Sequence, residues 1–217
     1  MPRAANAYRV RLGALSLAVS GILFVLYPAI RPFSDEASLQ GAEAFASTAW
    51  ILAHVLAMLG FILLTLGLLG LYISLQQTSA ERLAFLALIS SWIGVGLTLP
   101  FYGGEAFGLH AIGQEAIRQQ SSALLNLAND VRSGAGLVIG LAGLMLIAVG
   151  AIMAAIAVWK SSTLPKWSGI PFALGFVLYI PQFFGTQPIR VAHGLLIAFG
   201  CIWIAAGLWR QSSQRRN

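Results

Sequence analysis

Charge is what this chain has least of. Of 217 residues only 9% are charged, against about 25% in an ordinary water-soluble domain, while 58% are hydrophobic and the mean hydropathy is +0.81. That balance excludes a soluble domain with a polar shell and describes a chain solvated by lipid. Cysteine is nearly absent: Cys201 stands alone inside an apolar run, so neither an intrachain disulfide nor a Cys-x-x-Cys motif exists. Histidine occurs three times, with no His-Glu-x-x-His motif and no pair four residues apart on one helix. The 13 basic residues outnumber the 7 acidic ones, but they are scattered at the ends of apolar runs without a basic stripe or interleaved stacking aromatics. Nucleic acid is therefore not an expected partner.

What the chain has in abundance is long apolar segments. Six candidate spans run over about 12–30, 48–75, 83–103, 134–159, 168–185 and 189–209. Each is long enough to cross ~30 Å of hydrocarbon at ~1.5 Å per helical residue. Backbone groups in lipid must be satisfied within their own segment, and no alternating ten-residue strand pattern appears, so helices are the expected element. The opening MPRAANAYRVR followed by Leu12–Ile30 imitates a secretory signal. Its apolar run is nevertheless as long as a full span and no clean small-x-small cleavage site follows, so it reads as a retained first helix. The expectation is an all-α, polytopic, single-domain bundle of six transmembrane helices.

Lysine and arginine set its orientation. Arg3, Arg9, Arg11, Arg82, Lys160, Lys166, Arg210, Arg215 and Arg216 fall on one side, against Arg31, Arg118, Arg132 and Arg190 on the other. Both termini are thereby expected in the cytoplasm, with a bacterial plasma membrane as the expected location. Six of the seven acids (Asp35, Glu36, Glu43, Glu105, Glu115 and Asp130) lie on the outer side. Ser34-Asp35-Glu36 resembles a helix start, so the second helix is expected to begin outside the bilayer. Residues 114–132 carry apolar positions at roughly helical spacing and are read as an amphipathic outer-surface segment. Residues 210–217 read as a short tail.

Polar side chains inside the spans crowd into their outer halves. His54 lies ~8 Å below the outer boundary at helical rise; with a helix begun near Asp35, Glu43, Ser47, Trp50 and His54 share one face. His193 and Arg190 open the last span. Glu105 and His110 follow Pro100 and the Gly103-Gly104 pair, where a kink or break is permitted. Tyr179 and Gln182 lie in the outer half of the fifth span, and Tyr102 in that of the third. The span from Leu137 to Val158 has no polar side chain. A channel or ion pump needs polar groups through the full membrane depth; this pattern instead fits a pocket open to the outer face.

The candidate ligand-binding set is His54, Glu105, His193, His110, Trp50, Glu43, Tyr102, Tyr179, Gln182 and Arg190. Two imidazoles on facing helices, His54 and His193, can ligate haem iron or a transition metal. With Arg190 as counter-charge, an anionic small molecule or lipid headgroup is equally compatible. For each histidine the plainer alternative is an interfacial ring. Two further functions stay open: a non-catalytic accessory subunit pairing with another membrane protein or a second copy of itself, and an interfacial enzyme acting on lipid or peptide, with no catalytic residue assignable. Gly134, Gly136, Gly140 and Gly143 follow no strand and precede no ribose-binding acid, so they are not a dinucleotide loop. Gly136 and Gly140, like Gly60, Gly67 and Gly70, are expected to serve close helix packing.

Overall fold

The fold rests on helices that are apolar on every side. On the second long helix, Trp50, Ala53, Ala57, Phe61, Leu64, Leu68, Leu71 and Leu75 are buried, while Leu52, Leu59, Ile62, Leu66 and Leu69 stay exposed. A bundle in water would place polar residues on that second face. Here both stripes are hydrocarbon, one packed and one exposed, as in a helix apolar enough to span a membrane.

The computed structural model describes residues 2–214, with side chains from residue 6 onward; Arg215 and Arg216 and the end of the expected tail lie outside the described residues. Among these, all regular structure is helical. Nine α-helices follow in order: α1 Pro2–Ile30, α2 Leu39–Ala46, α3 Thr48–Leu75, α4 Glu81–Gly103, α5 Leu109–Gln119, α6 Asn126–Val131, α7 Gly134–Ser161, α8 Gly169–Val177 and α9 Gln187–Gln214. Five uninterrupted helical stretches are long and apolar enough to cross a membrane: Asn6–Ile30, Thr48–Leu75, Glu81–Gln119, Gly134–Ser161 and Gln187–Gln214.

Antiparallel pairs build the bundle. α1 packs on α3, with Gly13 against Gly70 and Leu17 against Gly67, and on its other side it packs on α9, with Gly21 against Ala198 and Cys201. α4 packs on α7, where Gly94 and Thr98 meet Gly143 and Ser91 meets Gly150. Small residues let backbones approach, so dispersion and interhelical hydrogen bonds replace the hydrophobic effect that lipid cannot supply. Ser20 donates to the Gly60 carbonyl at 2.7 Å and Ser90 to that of Leu146 at 2.8 Å. Arg11 near the N-terminus donates to Ser212 and Ser213, so both ends of the chain lie at the same end of the bundle.

Four local differences from the sequence reading shape the opposite, distal end. The third span does not break at Pro100 and Gly103-Gly104. It widens into a π-helical turn, Gly104–Gly108, and runs on as α5 to Gln119. The stretch 114–132 comprises the end of α5, a left-handed Gln120, a 3-10 turn and α6. Residues 168–185 form the nine-residue α8, an irregular stretch and a 3-10 turn at Pro181–Phe184, since proline lacks the N–H that would continue the ladder. The helix expected from Ser34 starts instead at Leu39, because Asp35 caps a tight turn with its side chain and carbonyl. Ser47 then ends α2 and caps α3 by accepting from the Trp50 amide, so Glu43 and His54 do not share one continuous helix.

Gly136 has open space around it, whereas the contact glycines of α7 are Gly140, Gly143 and Gly150. A Cβ on Gly143 would sit 2.5 Å from the Gly94 carbonyl oxygen and from Thr98 Oγ1. Gly143→Val should therefore destabilise the bundle by about 1–3 kcal/mol or more through overpacking, whereas Gly136→Ala should change stability by less than about 1 kcal/mol. Thermal melts of the two purified variants check this; equal melting points would show that the α4–α7 contact is not close.

Candidate functional site

At the end of the bundle distal to Arg11 and Ser212, the last turns of α1 and α4 and the first turns of α7 and α9 surround a cavity of about 470 Å³. Its apolar wall is Phe101 of α4, the α7 stripe Leu137, Leu141 and Leu144, and Phe183. Its polar wall holds Tyr27, Arg31, Glu36, Tyr102, Glu105, Arg132 and Arg190.

Four members of the polar wall, Arg31, Glu36, Glu105 and Arg132, form one connected network. Arg132, just before α7, grips the Glu105 carboxylate with two parallel bonds, Nε to Oε1 at 2.6 Å and Nη2 to Oε2 at 2.9 Å. Its Nη1 donates to Glu36, and Glu36 accepts in turn from Arg31 at 2.7 Å. Fork-shaped guanidinium–carboxylate pairs of this kind fix orientation as well as charge. Burial alone would raise the Glu36 pKa, but the guanidiniums of Arg132 and Arg31 outweigh it and hold the carboxyl below its usual range. Arg132 loses solvation by burial too, yet its bonds to Glu105 and then Glu36 raise its pKa further.

Behind Glu105 lies an aromatic layer. The π turn leaves the Glu105 carbonyl free to accept the Trp50 indole N–H at 2.7 Å, and Trp50 is fully buried. One turn along α3, His54 donates from Nδ1 to the Trp50 carbonyl at 2.7 Å, which leaves Nε2 facing the Glu105 carboxylate at 3.9 Å. The Arg31 guanidinium lies over the Trp50 ring at 4.4 Å. Tyr102 shares a 2.8 Å hydroxyl–hydroxyl hydrogen bond with Tyr179.

The sequence-predicted set thus divides. His54, Trp50, Glu105 and Tyr102 come together, Tyr179 joins them through its hydroxyl, and Arg190 reaches the cavity from α9. Glu43 is exposed on α2. His110 donates to the Phe45 carbonyl at 2.9 Å, in the small cluster where α2 packs on α5 and which reaches the site through Trp50. Gln182 is buried in the Pro181–Phe184 turn, outside the cavity lining. His193 bonds the Gly175 carbonyl through Nε2 at 2.7 Å, and its link to His54 runs through Tyr179 and Tyr102 rather than directly. Among the described residues no group of three or more His, Cys, Asp or Glu side chains is gathered as a metal would need.

Sequence reasoning missed Arg31, Glu36 and Arg132 as site residues. Their charges flank apolar spans, where topology or a helix start already accounts for them. One clue existed: Arg31 and Arg132 each abut a span at the side that collects nearly all the acids. No family model, curated protein or solved structure matches this chain.

Arg190 differs from the other two guanidiniums. Its Nε donates to the Gly185 carbonyl and its Nη2 to that of Phe183, and among the described residues it has no carboxylate partner. Arg31 and Arg190 both lie against the Phe33 ring, at 4.7 and 5.2 Å from its centre. Two like charges therefore converge on one side of the cavity with one of them unpaired.

Removing one partner of a buried charge pair costs about 3–5 kcal/mol because the survivor stays buried and uncompensated. Arg132→Leu should show a loss near the low end of that range, since Arg132 is 27% exposed. Glu105→Gln added to it should restore part of the stability. Denaturation of the single and double variants checks the pairing; a double variant no more stable than Arg132→Leu would contradict it.

Proposed function

We propose that this chain is an integral membrane protein that crosses the bilayer six times, keeps both termini in the cytoplasm, and uses its outer cavity to bind an anionic amphiphile. The sixth crossing is supported by chain direction. α9 runs antiparallel to α1, hence parallel to α3 and α7, so the chain must return between α7 and α9. Residues 165–185 make that return alongside α9, from Pro165 beside Gly207, through Phe172 beside Gly200, to Gly175 beside His193. The orientation rests on the excess of Lys and Arg at the end that carries the termini. Reporter fusions test it: alkaline phosphatase joined after Asn126 should be active and a fluorescent protein joined after Gln214 should fluoresce, whereas the reverse pattern would overturn the topology.

The observation that carries the binding reading is Arg190, an unpaired cation beside an apolar wall in a preformed cavity. A half-buried cation beside apolar side chains is better solvated once a counter-charge arrives. An amphiphile meets both walls at once, its anionic end near Arg190 and its hydrocarbon along α7. Cavities of about 300–1,000 Å³ with mostly apolar walls and few placed polar groups are typical of small-molecule sites.

Native mass spectrometry of the detergent-purified protein, offered equal amounts of anionic and zwitterionic lipids, tests this. The wild type should retain the anionic species, and Arg190→Gln should lose at least tenfold of that retention. Equal retention of both headgroup classes by the wild type would overturn the reading.

A further inference from the structure

The charge count of the cavity narrows what it can take. Three guanidiniums, of Arg31, Arg132 and Arg190, face two carboxylates, of Glu36 and Glu105. Arg132 directs Nε, Nη1 and Nη2 to those two carboxylates, and Arg31 directs Nη2 to Glu36. Arg190 spends one donor each from Nε and Nη2 on carbonyls, so three of the five N–H groups of a guanidinium remain, both on Nη1 among them. One positive charge is therefore open. A single negative charge neutralises the site. A second would face Glu36 and Glu105 across the same cavity with no further free cation among the described residues, and a neutral head would leave the half-buried Arg190 without a counter-charge.

The apolar side is equally restrictive. Leu137, Leu141 and Leu144 form one stripe on α7, and Gly140 between them lets Phe101 of α4 pack close against the helix and join the same apolar wall. Beside that stripe α8 has already ended at Val177, and the facing wall is the irregular segment that carries Phe183. The first turns of α7 are exposed, as is Phe184, at 92%, on the facing turn. The hydrocarbon wall of the cavity is this single stripe with Phe101 and Phe183, and a volume of about 470 Å³ limits how much alkyl chain can enter beside it.

Resting on the amphiphile-binding reading above, we infer that the site is selective for a singly charged, single-chain amphiphile. Its monoanionic head bonds Arg190, and its one hydrocarbon chain lies along Leu137, Leu141 and Leu144. The shared chemistry is one negative charge on one alkyl chain. A fatty carboxylate and a lysophospholipid with a phosphodiester head both satisfy it.

Equilibrium binding to the purified full chain in nanodiscs tests this with five probes at pH 8.5: oleate, lysophosphatidylglycerol, diacyl phosphatidylglycerol, oleyl alcohol and oleyl phosphate. The last is a phosphomonoester, which is doubly charged well above its second pKa of about 6. At least one of the first two should bind at least tenfold tighter than each of the other three, and which one wins identifies the source of the head. Arg190→Gln should erase the preference over oleyl alcohol while Arg190→Lys keeps most of it, and Leu141→Trp should weaken binding of the favoured probe at least tenfold. Oleyl phosphate or the diacyl lipid binding as tightly as both monoanionic single-chain probes would overturn the inference and leave the amphiphile reading intact. No binding of any probe would overturn both.

Discussion

Between Arg82 and Glu105 the chain carries no charged residue, and then a carboxyl group appears at a position that is still buried. Taking a charged group out of water costs several kcal/mol. Two unit charges about 4 Å apart recover roughly 4 kcal/mol at an effective dielectric near 20. Glu105 is thus tolerable only because Arg132 meets it with two bonds, and Arg132 is in turn shared with Glu36 and, through it, Arg31. This four-member network ties the start of α7 to the π turn after α4 and to the loop after α1. It holds three helix ends at the spacing that leaves a cavity between them.

The cavity exists because two elements are irregular. The π turn at Gly104–Gly108 re-aims Glu105 towards Arg132 and hands its carbonyl to Trp50. The shortened α8 leaves only a 3-10 turn opposite the first turns of α7, where a full helix would have packed against Leu141. The same irregular turn offers the Phe183 and Gly185 carbonyls to Arg190, which holds that guanidinium at the cavity without neutralising it.

The long helices were legible in the sequence because lipid demands a simple pattern: about twenty apolar residues, small residues at contacts, and charge at the ends. Thr48–Leu75 and Gly134–Ser161 follow from that pattern almost to the residue. The break of residues 168–185 was hidden, because its apolar content is that of a span and Pro181 alone does not tell a kink from an end. His54, Trp50, Glu105 and Tyr102 were legible as a set, since each is polar or aromatic in an outer half-span. His193 and His110 share that signature, yet both satisfy backbone carbonyls elsewhere; sequence position gives depth in the membrane but not the direction a side chain faces. Arg31 and Arg132 were hidden for the opposite reason. A cation at a span end already has a sufficient explanation in topology, and only the fold shows both turned inward.

An experimental structure of the protein in native-like lipid tests the central claim most directly, namely that Arg190 is the one open charge of a preformed amphiphilic cavity. The account predicts elongated density along Leu137, Leu141 and Leu144 that ends within hydrogen-bonding distance of Arg190 Nη1, with the Arg132–Glu105 fork intact. A cavity closed by Leu141 packing against Phe183, with Arg190 turned away to pair with an acid such as Asp35, would contradict it.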